Sequence, residues 1–384
     1  NEDTPMIDLK PVRAFLDEAH TGLLEKAEAF GRSVLAARRH CETDAEARVE
    51  ARELLKLMGA AGLFVPIKDG DYRGCCLLRE VLSSYSPLAD AVFALQALGA
   101  TPLLIGGAPD QVALAHRVTD GQAMGAFAMT EPEAGSDAHA ISCEATREGD
   151  GYLLNGTKTF ISNGGLADFY VLFATVDRSK PKGISAFLVD ASTQGFEFVR
   201  PLVMSAPHPL GEIAFRDCRV SKSALIGKEG DGLKLALSTL DRLRATVGAA
   251  ACGMAARALD DAIQHVQSRR QFGKPLAEFQ LTQDKIARMA IRLRAARLLV
   301  YEAAWEKDKG AERVTLESGM AKAFATEAAQ TIIDDAVQLL GGKGVMKESM
   351  VDLLYRSVRA LRIYEGTTEV QHLLIASQLL KSPQ

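Results

Sequence analysis

The spacing of apolar residues changes twice along the chain, and this change constrains the fold more than any other feature. In the C-terminal part, apolar residues recur at helical spacing over the long segments 235–268, 281–307, 316–340 and 350–363, and again over 369–380. Helices this long are well above the average of about 11–12 residues and usually pack as a bundle. The pattern therefore predicts a C-terminal helical bundle.

Helical spacing also covers the first part of the chain, whereas the middle part shows a period close to two. We predict helices over 15–34, 45–58 and 88–98. Strand-like runs follow at 152–154, 158–161, 169–174, 184–189, 196–199 and 213–220. The dipeptide Asn155-Gly156 separates the first two runs and predicts a tight hairpin, because both residues tolerate positive φ.

This order of segments predicts an α+β multidomain fold. We expect an N-terminal α-helical domain over residues 1–123, a middle β domain over 124–230 that forms a small barrel or sandwich, and a C-terminal helical bundle domain over 231–384. The length of 384 residues agrees with several domains, because single hydrophobic cores rarely grow beyond about 250–300 residues.

Charge and composition exclude several classes of protein. A net charge of −4 offers no basic surface for nucleic acid, and 47% hydrophobic residues are too many for a disordered chain. The longest uncharged run, 91–109, is interrupted by polar residues, a proline and two adjacent glycines. We therefore predict a buried helix and loop there, with no membrane span.

Cysteine usage and the first residues bear on the compartment. Six cysteines lack the paired spacing of metal ligands, so we predict reduced thiols and no metal site. Residues 1–5 are acidic and have neither the apolar core of a secretion signal nor the arginines of a transit peptide. We expect a cytoplasmic protein, although an organellar presequence removed before residue 1 would leave the same sequence.

Two glycine-containing segments could hold a ligand. Segment 130–137 opens the β region with two hydroxyl side chains and a glycine that permits close backbone approach, but taken alone it is more simply an ordinary surface turn. Segment 338–344 ends a long helix on a glycine pair, which could equally be only a helix terminus. Neither segment matches a nucleotide-binding fingerprint.

Two charged segments have similar alternatives. The basic segment 269–276 could bind phosphate or complement the dipole of the preceding helix. In segment 363–369, Glu365 follows the apolar pair Ile363-Tyr364, and burial against these neighbours would raise its pKa, as a base that removes a proton from carbon requires. It could equally be an acidic residue near Thr367, which we predict to cap the next helix.

Taken together, these segments resemble the acyl-CoA dehydrogenase family over essentially the whole chain. No single segment is decisive, but five matches in the right order on an α–β–α framework are highly specific. The matching strings are 128–137, 155–164, 269–273 with Gln280 following, 338–342 and 364–367.

The resemblance implies a flavoprotein with a C-terminal four-helix bundle that assembles as a homotetramer. It also implies FAD between the β domain and the bundle, with Arg269, Gln280 and the turn 338–342 contacting the adenine and pyrophosphate portion of a neighbouring subunit's FAD. The implied cofactor-binding residues are Phe127, Met129, Thr130, Ser136, Phe160, Ile161, Ser162, Arg269, Phe272, Gln280, Gln338, Gly341, Gly342, Thr367 and Glu369.

The reaction implied by the resemblance is α,β-dehydrogenation of an acyl thioester. Glu365 would remove the α proton while the β hydrogen leaves as hydride to flavin N5, and reduced flavin would pass electrons to an electron-transferring flavoprotein. The thioester oxygen would accept hydrogen bonds from the Glu365 backbone N–H and a ribityl hydroxyl. The residues implied to hold acyl-CoA are Ser136, Asp241, Arg244 and Gly366.

The sequence departs from the common family pattern in two places. Phe160 stands where many members have tryptophan, and segment 201–210 lacks the usual Met-Gly-x-Arg string. Because that loop lies near the substrate in the family, an acyl group on a carrier protein is an alternative to acyl-CoA. We interpret His208 in this loop as an exposed histidine rather than a substrate contact.

The family places its catalytic carboxylate either in the loop before the last helix or on a bundle helix. Here Leu243 occupies the helix position, and Asp241 points about 200° away from it, so we predict Glu365 as the base. Arg244 is expected near enough to tune its pKa. Segment 87–104 carries only Asp90 and no lysine or arginine, which predicts an acyl group without a second carboxylate.

Two other classes of function remain open at this stage. The same scaffold could oxidise a carrier-bound amino-acyl group, use oxygen, or reduce an enoyl thioester. A non-catalytic FAD-binding interaction module is also possible, although a binding protein has no need for a carboxylate at Glu365.

Overall fold

The computed structural model describes residues 7–177 and 183–381. Residues 1–5, on which the expectation about targeting signals rests, lie outside the described residues. The chain divides into two compact units. We call them the helical unit (Asn1–His40, Asp71–Asp90 and Asp241–Gln384) and the sheet unit (Cys41–Gly70 and Ala91–Leu240). The three-domain boundaries at 1–123, 124–230 and 231–384 remain a prediction.

Helices account for most of the described chain. Their boundaries are α1 Glu18–Phe30, α2 Asp44–Ala60, α3 Val65–Asp69, α4 Tyr72–Tyr85, α5 Pro87–Gly106, α6 Pro109–Thr119, α7 Gly232–Ser268, α8 Gln280–Asp308, α9 Thr315–Leu340, α10 Met350–Val358 and α11 Thr368–Leu379. The long C-terminal helices α7, α8 and α9 confirm the helical segments predicted from apolar spacing.

The N-terminal helices differ from the prediction. The helix predicted over 15–34 begins a few residues later, as α1, after a 3₁₀ turn at Lys10–Phe15, and it ends in a π-helical turn at Gly31–Leu35. The ring of His20 fixes the start of α1 by accepting from the backbone N–H of Asp17 at 3.0 Å. Helices α4 and α6 were not predicted, and α5 is longer than expected.

Helix α5 satisfies the length and composition of a bilayer-crossing helix, but 67% of its most apolar window is buried inside the protein. Burial of this kind is typical of a core helix. It agrees with the buried helix predicted for this run.

The strands of the sheet unit form one mixed sheet. They are β1 Gly125–Ala128, β2 Glu144–Glu148, β3 Gly151–Ser162, β4 Phe169–Thr175, β5 Ile184–Asp190, β6 Phe196–Pro201, β7 Leu210–Ser221 and β8 Leu225–Ile226. Their order is β6-β7-β3-β2-β4-β5-β8, with β1 parallel to β4. In the helical unit, β9 Arg270–Gln271 and β10 Lys274–Pro275 form a small hairpin.

The hairpin predicted at Asn155-Gly156 is wrong. Strand β3 runs straight through this dipeptide, and its register with β7 shifts there, which marks a bulge. The Asn155 side chain is used within the bulge, because its Oδ1 accepts from the Asp217 backbone N–H at 2.8 Å. Gly156 is required by close packing, since a Cβ would lie 2.8 Å from Cys143. The turn between β2 and β3 instead contains Gly149 at φ 58°.

Candidate active site

Glu365 lies in the loop that precedes α11, at a strained backbone position. Its φ is +55°, and that of Gly366 is +91°. A residue with a side chain adopts this left-handed region at a cost of about 1–3 kcal/mol, and such strain often occurs at functional sites. The loop ends as predicted at Thr367, whose Oγ1 accepts from the Val370 backbone N–H at 3.3 Å and caps α11.

The Glu365 carboxylate is only partly satisfied. Its Oε2 atom is buried and has no hydrogen-bond partner among the residues that the structure describes. Burial raises the pKa of Glu365, and the nearby charges of Arg79, Lys322 and Arg244 oppose that rise. The direction agrees with the expectation from the sequence, but the cause differs in part, because Ile363 is 54% exposed.

Arg244 and Asp241 lie one turn apart on α7 and have different partners. The Asp241 carboxylate accepts from the Val314 backbone N–H at 3.1 Å and from the Thr315 hydroxyl at 2.7 Å, so it fastens the start of α9. Arg244 Nη1 lies 3.9 Å from this carboxylate, and its Nε is buried without a partner among the described residues. Arg244 is therefore the α7 residue whose charge acts on Glu365.

The remaining predicted cofactor residues of the helical unit lie at ends of helices or at the small hairpin between α7 and α8. Arg269 and Phe272 belong to the β9–β10 hairpin, and Phe272 is 92% exposed. The charges of Arg269 and of Lys343, which follows the glycine turn after α9, both act on His265 and so place the two segments near one residue. The others lie at helix ends: Gln280 begins α8, Gln338 lies in the last turn of α9 with Gly341 and Gly342 just after it, and Thr367 and Glu369 lie at the start of α11.

These residues fit the pyrophosphate and adenine portion of FAD. Among the described residues, the Arg269 side chain has no carboxylate partner, and the space around the Cα atoms of Gly341 and Gly342 is open. An accessible guanidinium beside an open glycine turn suits a pyrophosphate group.

The predicted flavin residues of the sheet unit come together at the ends of β1 and β3. The Thr159 backbone N–H donates to the Thr130 carbonyl at 3.0 Å, which joins the loop after β1 to strand β3. Phe160 has a φ of +54° and is 64% exposed, and Ser162 follows it. By contrast Ile161 is 2% exposed, so any contact that it makes with a cofactor uses its backbone.

The other sheet-unit residues surround this point, and the site fits an isoalloxazine ring. Phe127 packs on Phe173 with ring centroids 4.7 Å apart, Met129 begins the loop, and Ser136 lies exposed farther along it. Asn163 Oδ1 is buried without a partner among the described residues. An exposed aromatic ring beside hydroxyl and amide groups suits a flat, polar-edged ligand.

A buried ion pair that we did not predict holds this loop. Lys158, fully buried on β3, donates to the Met129 carbonyl at 2.9 Å and to Glu131 Oε1 at 2.8 Å. Glu131 also accepts from the backbone N–H groups of Ser142 and Cys143. Both charged residues lie within the strings that carry the family resemblance, and that was the available signal for their role.

The interpretation of His208 as an exposed loop histidine is wrong. Its Nε2 lies 2.8 Å from the Ser162 hydroxyl, and burial lowers the pKa of His208 to about 4. The ring is therefore neutral near pH 7 and fixes the orientation of a predicted flavin residue. This contact brings His208 against β3, a long-range pairing that local sequence does not indicate.

Comparison with known proteins matches most of the chain to one family. The acyl-CoA dehydrogenase middle domain matches residues 126–218, and the acyl-CoA dehydrogenase C-terminal domain matches residues 230–380. The 3-(aryl)acrylate reductase of Clostridium sporogenes is 40% identical over 86% of this chain and 90% of its own length. Human mitochondrial short-chain specific acyl-CoA dehydrogenase is 37% identical over 96% and 91%.

Solved structures show the same fold. Butyryl-CoA dehydrogenase from Megasphaera elsdenii superposes with a TM-score of 0.89 at 33% identity, covering 95% of this chain and 99% of that one. A chain from the electron transferring flavoprotein study of Acidaminococcus fermentans gives 0.90 at 34%, covering 96% and 99%. The FAD complex of PigA gives 0.86 at 27%, covering 95% and 98%. The chain therefore belongs to the acyl-CoA dehydrogenase family of FAD-dependent oxidoreductases.

Proposed function

We propose that this enzyme converts an acyl-CoA thioester to the trans-2-enoyl-CoA and that Glu365 is the base that removes the α proton. The observation that carries the proposal is the buried Glu365 Oε2 atom, which has no hydrogen-bond partner among the described residues. A carboxylate oxygen that the protein leaves unsatisfied is free to accept a proton from a substrate.

The surroundings of Glu365 suit this role. Burial raises its pKa, which makes it a stronger base than an exposed glutamate, while three cations keep the ionised form accessible. The Glu365 backbone N–H can donate to the thioester oxygen as negative charge develops there, and one such donor typically contributes about 10²–10³ in rate. Bound FAD supplies the acceptor for the β hydrogen.

The reverse reaction is a second candidate. A protonated Glu365 could deliver its proton to the α carbon of an enoyl thioester, and the raised pKa makes that form more available than for an exposed glutamate. The relative named as a 3-(aryl)acrylate reductase supports this direction. The short-chain and butyryl-CoA relatives support oxidation of a short acyl group.

The prediction of an acyl group without a second carboxylate now rests on a different observation. It rested on the absence of lysine and arginine from segment 87–104, yet Arg79 of α4 pairs with Asp90 of this segment through both carboxylate oxygens. Because Asp90 already neutralises this arginine, a second substrate carboxylate would not find an unpaired positive charge there. We retain the preference for a monocarboxylic group, on CoA or on a carrier protein.

We further propose a homotetramer that transfers its electrons to an electron-transferring flavoprotein. The bundle helices and the last helix carry large apolar side chains that the single chain leaves exposed, as subunit contacts would require. They include Leu281, Ile291, Phe324 and Leu373. Analytical ultracentrifugation of the yellow protein should give the mass of four chains. A cytoplasmic location remains a prediction.

Substitution of Glu365 tests the proposed reaction. Glu365→Gln keeps the size of the side chain but removes its basicity, so the FAD absorbance should stay while anaerobic bleaching by butyryl-CoA or 3-phenylpropionyl-CoA slows by about 10²–10⁴-fold or more. Asp241→Asn is the matched control and should still reduce its flavin. Bleaching of Glu365→Gln at the wild-type rate would refute the assignment.

The same protein distinguishes the two directions. Photoreduced enzyme mixed with cinnamoyl-CoA would be reoxidised rapidly if the chain acts as a reductase. Slow reoxidation together with rapid bleaching by butyryl-CoA would favour the dehydrogenase.

A further inference from the structure

The residue before Glu365 is held by a buried arginine. Arg79 on α4 is fully buried, and its Nε and Nη2 donate to the two oxygens of Asp90 at 2.7 and 2.9 Å. Its Nη1 donates to the Thr246 hydroxyl at 3.0 Å. Tyr364 is also hydrogen-bonded to Arg79. Each of the three guanidinium nitrogens therefore donates to a protein side chain.

The residue after Glu365 is held by a buried lysine. Lys322 on α9 is fully buried, and its Nζ donates to the Gly366 carbonyl. Gln371 on α11 reinforces the same backbone, because its Nε2 donates to the carbonyls of Glu365 at 3.2 Å and Gly366 at 3.0 Å. Side chains of α9 and α11 thus hold the backbone of the loop just after Glu365.

These contacts stabilise the strained conformation of the loop at Glu365. The backbone of Glu365 lies in the left-handed region, and a residue stays there only where the surrounding contacts determine its conformation. We propose that Arg79 and Lys322 are positioning residues, two buried cations that hold the side chain before Glu365 and the carbonyl after it, and thereby place the Glu365 carboxylate for proton transfer. This inference rests on the proposed role of Glu365 as the base.

The charges around Glu365 give the proposal a second, electrostatic consequence. Burial raises the pKa of Glu365, whereas Arg79 on α4, Lys322 on α9 and Arg244 on α7 lower it and Asp90 on α5 raises it. Arg79 and Asp90 therefore act on Glu365 with opposite signs, although they form one ion pair. Removing the charge of Arg79 alone should raise the pKa of Glu365, and removing the charge of Asp90 alone should lower it.

The pH profile of kcat/KM with butyryl-CoA tests the role of Arg79 in the FAD-loaded enzyme. In Arg79→Gln, loss of a neighbouring positive charge should move the acid limb toward higher pH by about 1 pH unit. In Asp90→Asn the limb should move toward lower pH. The double variant, which leaves no buried charge unpaired, should return near the wild-type limb. Two single variants that lose activity with an unmoved limb would overturn the inference.

Hydrogen–deuterium exchange tests the role of Lys322 without any substrate. In Lys322→Met, amide exchange in a peptide covering 363–371 should speed up by about tenfold or more, because the Gly366 carbonyl loses its donor. Lys322→Arg should restore much of the protection. Lys307→Met is the matched control, since Lys307 donates in the same way to the carbonyls of Ala311 and Glu312 and should loosen only that loop.

The outcomes separate this inference from the proposed function. Unchanged exchange over 363–371 in Lys322→Met would refute the positioning role, even if Glu365→Gln is inactive. Fast flavin reduction by Glu365→Gln would refute the base, even if both cations are shown to hold the loop.

Discussion

Two buried carboxylates beside predicted functional loops show how structural and reactive groups differ in this protein. Glu131 in the sheet unit accepts from Lys158, from Ser142 and from the backbone of Cys143. Although burial opposes it, these contacts lower the pKa of Glu131. Glu365 in the helical unit faces cations yet has one buried oxygen without a partner among the described residues, and its pKa is raised.

The comparison shows that burial and nearby cations do not by themselves make a carboxylate reactive. What separates the two is hydrogen bonding to the ionised form, which is nearly complete at Glu131 and incomplete at Glu365. A satisfied buried carboxylate holds structure, whereas an unsatisfied one retains the capacity to exchange a proton.

The largest stability effect should come from breaking the satisfied pair. Lys158→Met leaves Glu131 buried without its cation, so the free energy of unfolding should fall by about 3–5 kcal/mol. Urea denaturation of the FAD-saturated protein measures this. The double variant Lys158→Met/Glu131→Gln should recover part of the loss. A Lys158→Met variant as stable as the wild type would show that the ion pair with Glu131 does not stabilise the fold.

His208 is an intermediate case, a partly buried base with one hydrogen-bonded neighbour. Its folded pKa of about 4 lies below the ordinary value of 6.5, so between these values the unfolded chain binds a proton that the native state does not. Stability is therefore lost as pH falls from about 6.5 to 4. Because the ring is only partly buried, we expect about 2 kcal/mol from this group.

The measurement is a difference between two proteins across that pH window. His208→Gln keeps a polar partner for Ser162 but lacks the titrating ring, so its denaturation midpoint should fall less steeply with acid than that of the wild type. Parallel acid-stability curves would contradict the assignment of a neutral buried histidine.

The smallest effect concerns a satisfied carboxylate within the helical unit itself. Asp241→Ala removes the acceptor for Val314 and Thr315 at the start of α9, and the loss of such a cap typically costs about 1 kcal/mol. Asp241→Asn should lose less, because its amide oxygen can still accept. Thermal unfolding checks both variants, and a larger loss in the asparagine variant would speak against capping.

Apolar periodicity predicted the helical bundle and most strands, because each of these elements buries one face and the spacing of its apolar residues reports that face. It did not reveal α4, in which charged Arg73, Arg79 and Glu80 are buried together with apolar residues. Their partners are distant in sequence: Glu80, for example, accepts from Arg297 and Tyr301, more than two hundred residues away. Such pairing cannot be read from local spacing.

In the candidate site, too, some residues could be predicted from the local sequence and others could not. Glu365 could be predicted because it is an acidic residue that follows an apolar pair and precedes a glycine, and because the family resemblance covers it. Arg79 and Lys322 were missed, since each lies in a helix where a charged residue normally indicates a solvent-exposed face. The hairpin at Asn155-Gly156 failed for a related reason, because pairing with β7 on the far side of β3 decides how that dipeptide is used.

The positive φ of Glu365 has a consequence for directed evolution. Glycine adopts this backbone conformation without steric cost, whereas any side chain at this position is strained. A saturation library at residue 365 that is screened for thermal tolerance alone should therefore enrich glycine, and the enriched clones should be inactive. Only a screen that also demands turnover should return glutamate, so a search for a more robust catalyst should leave this codon out of its library.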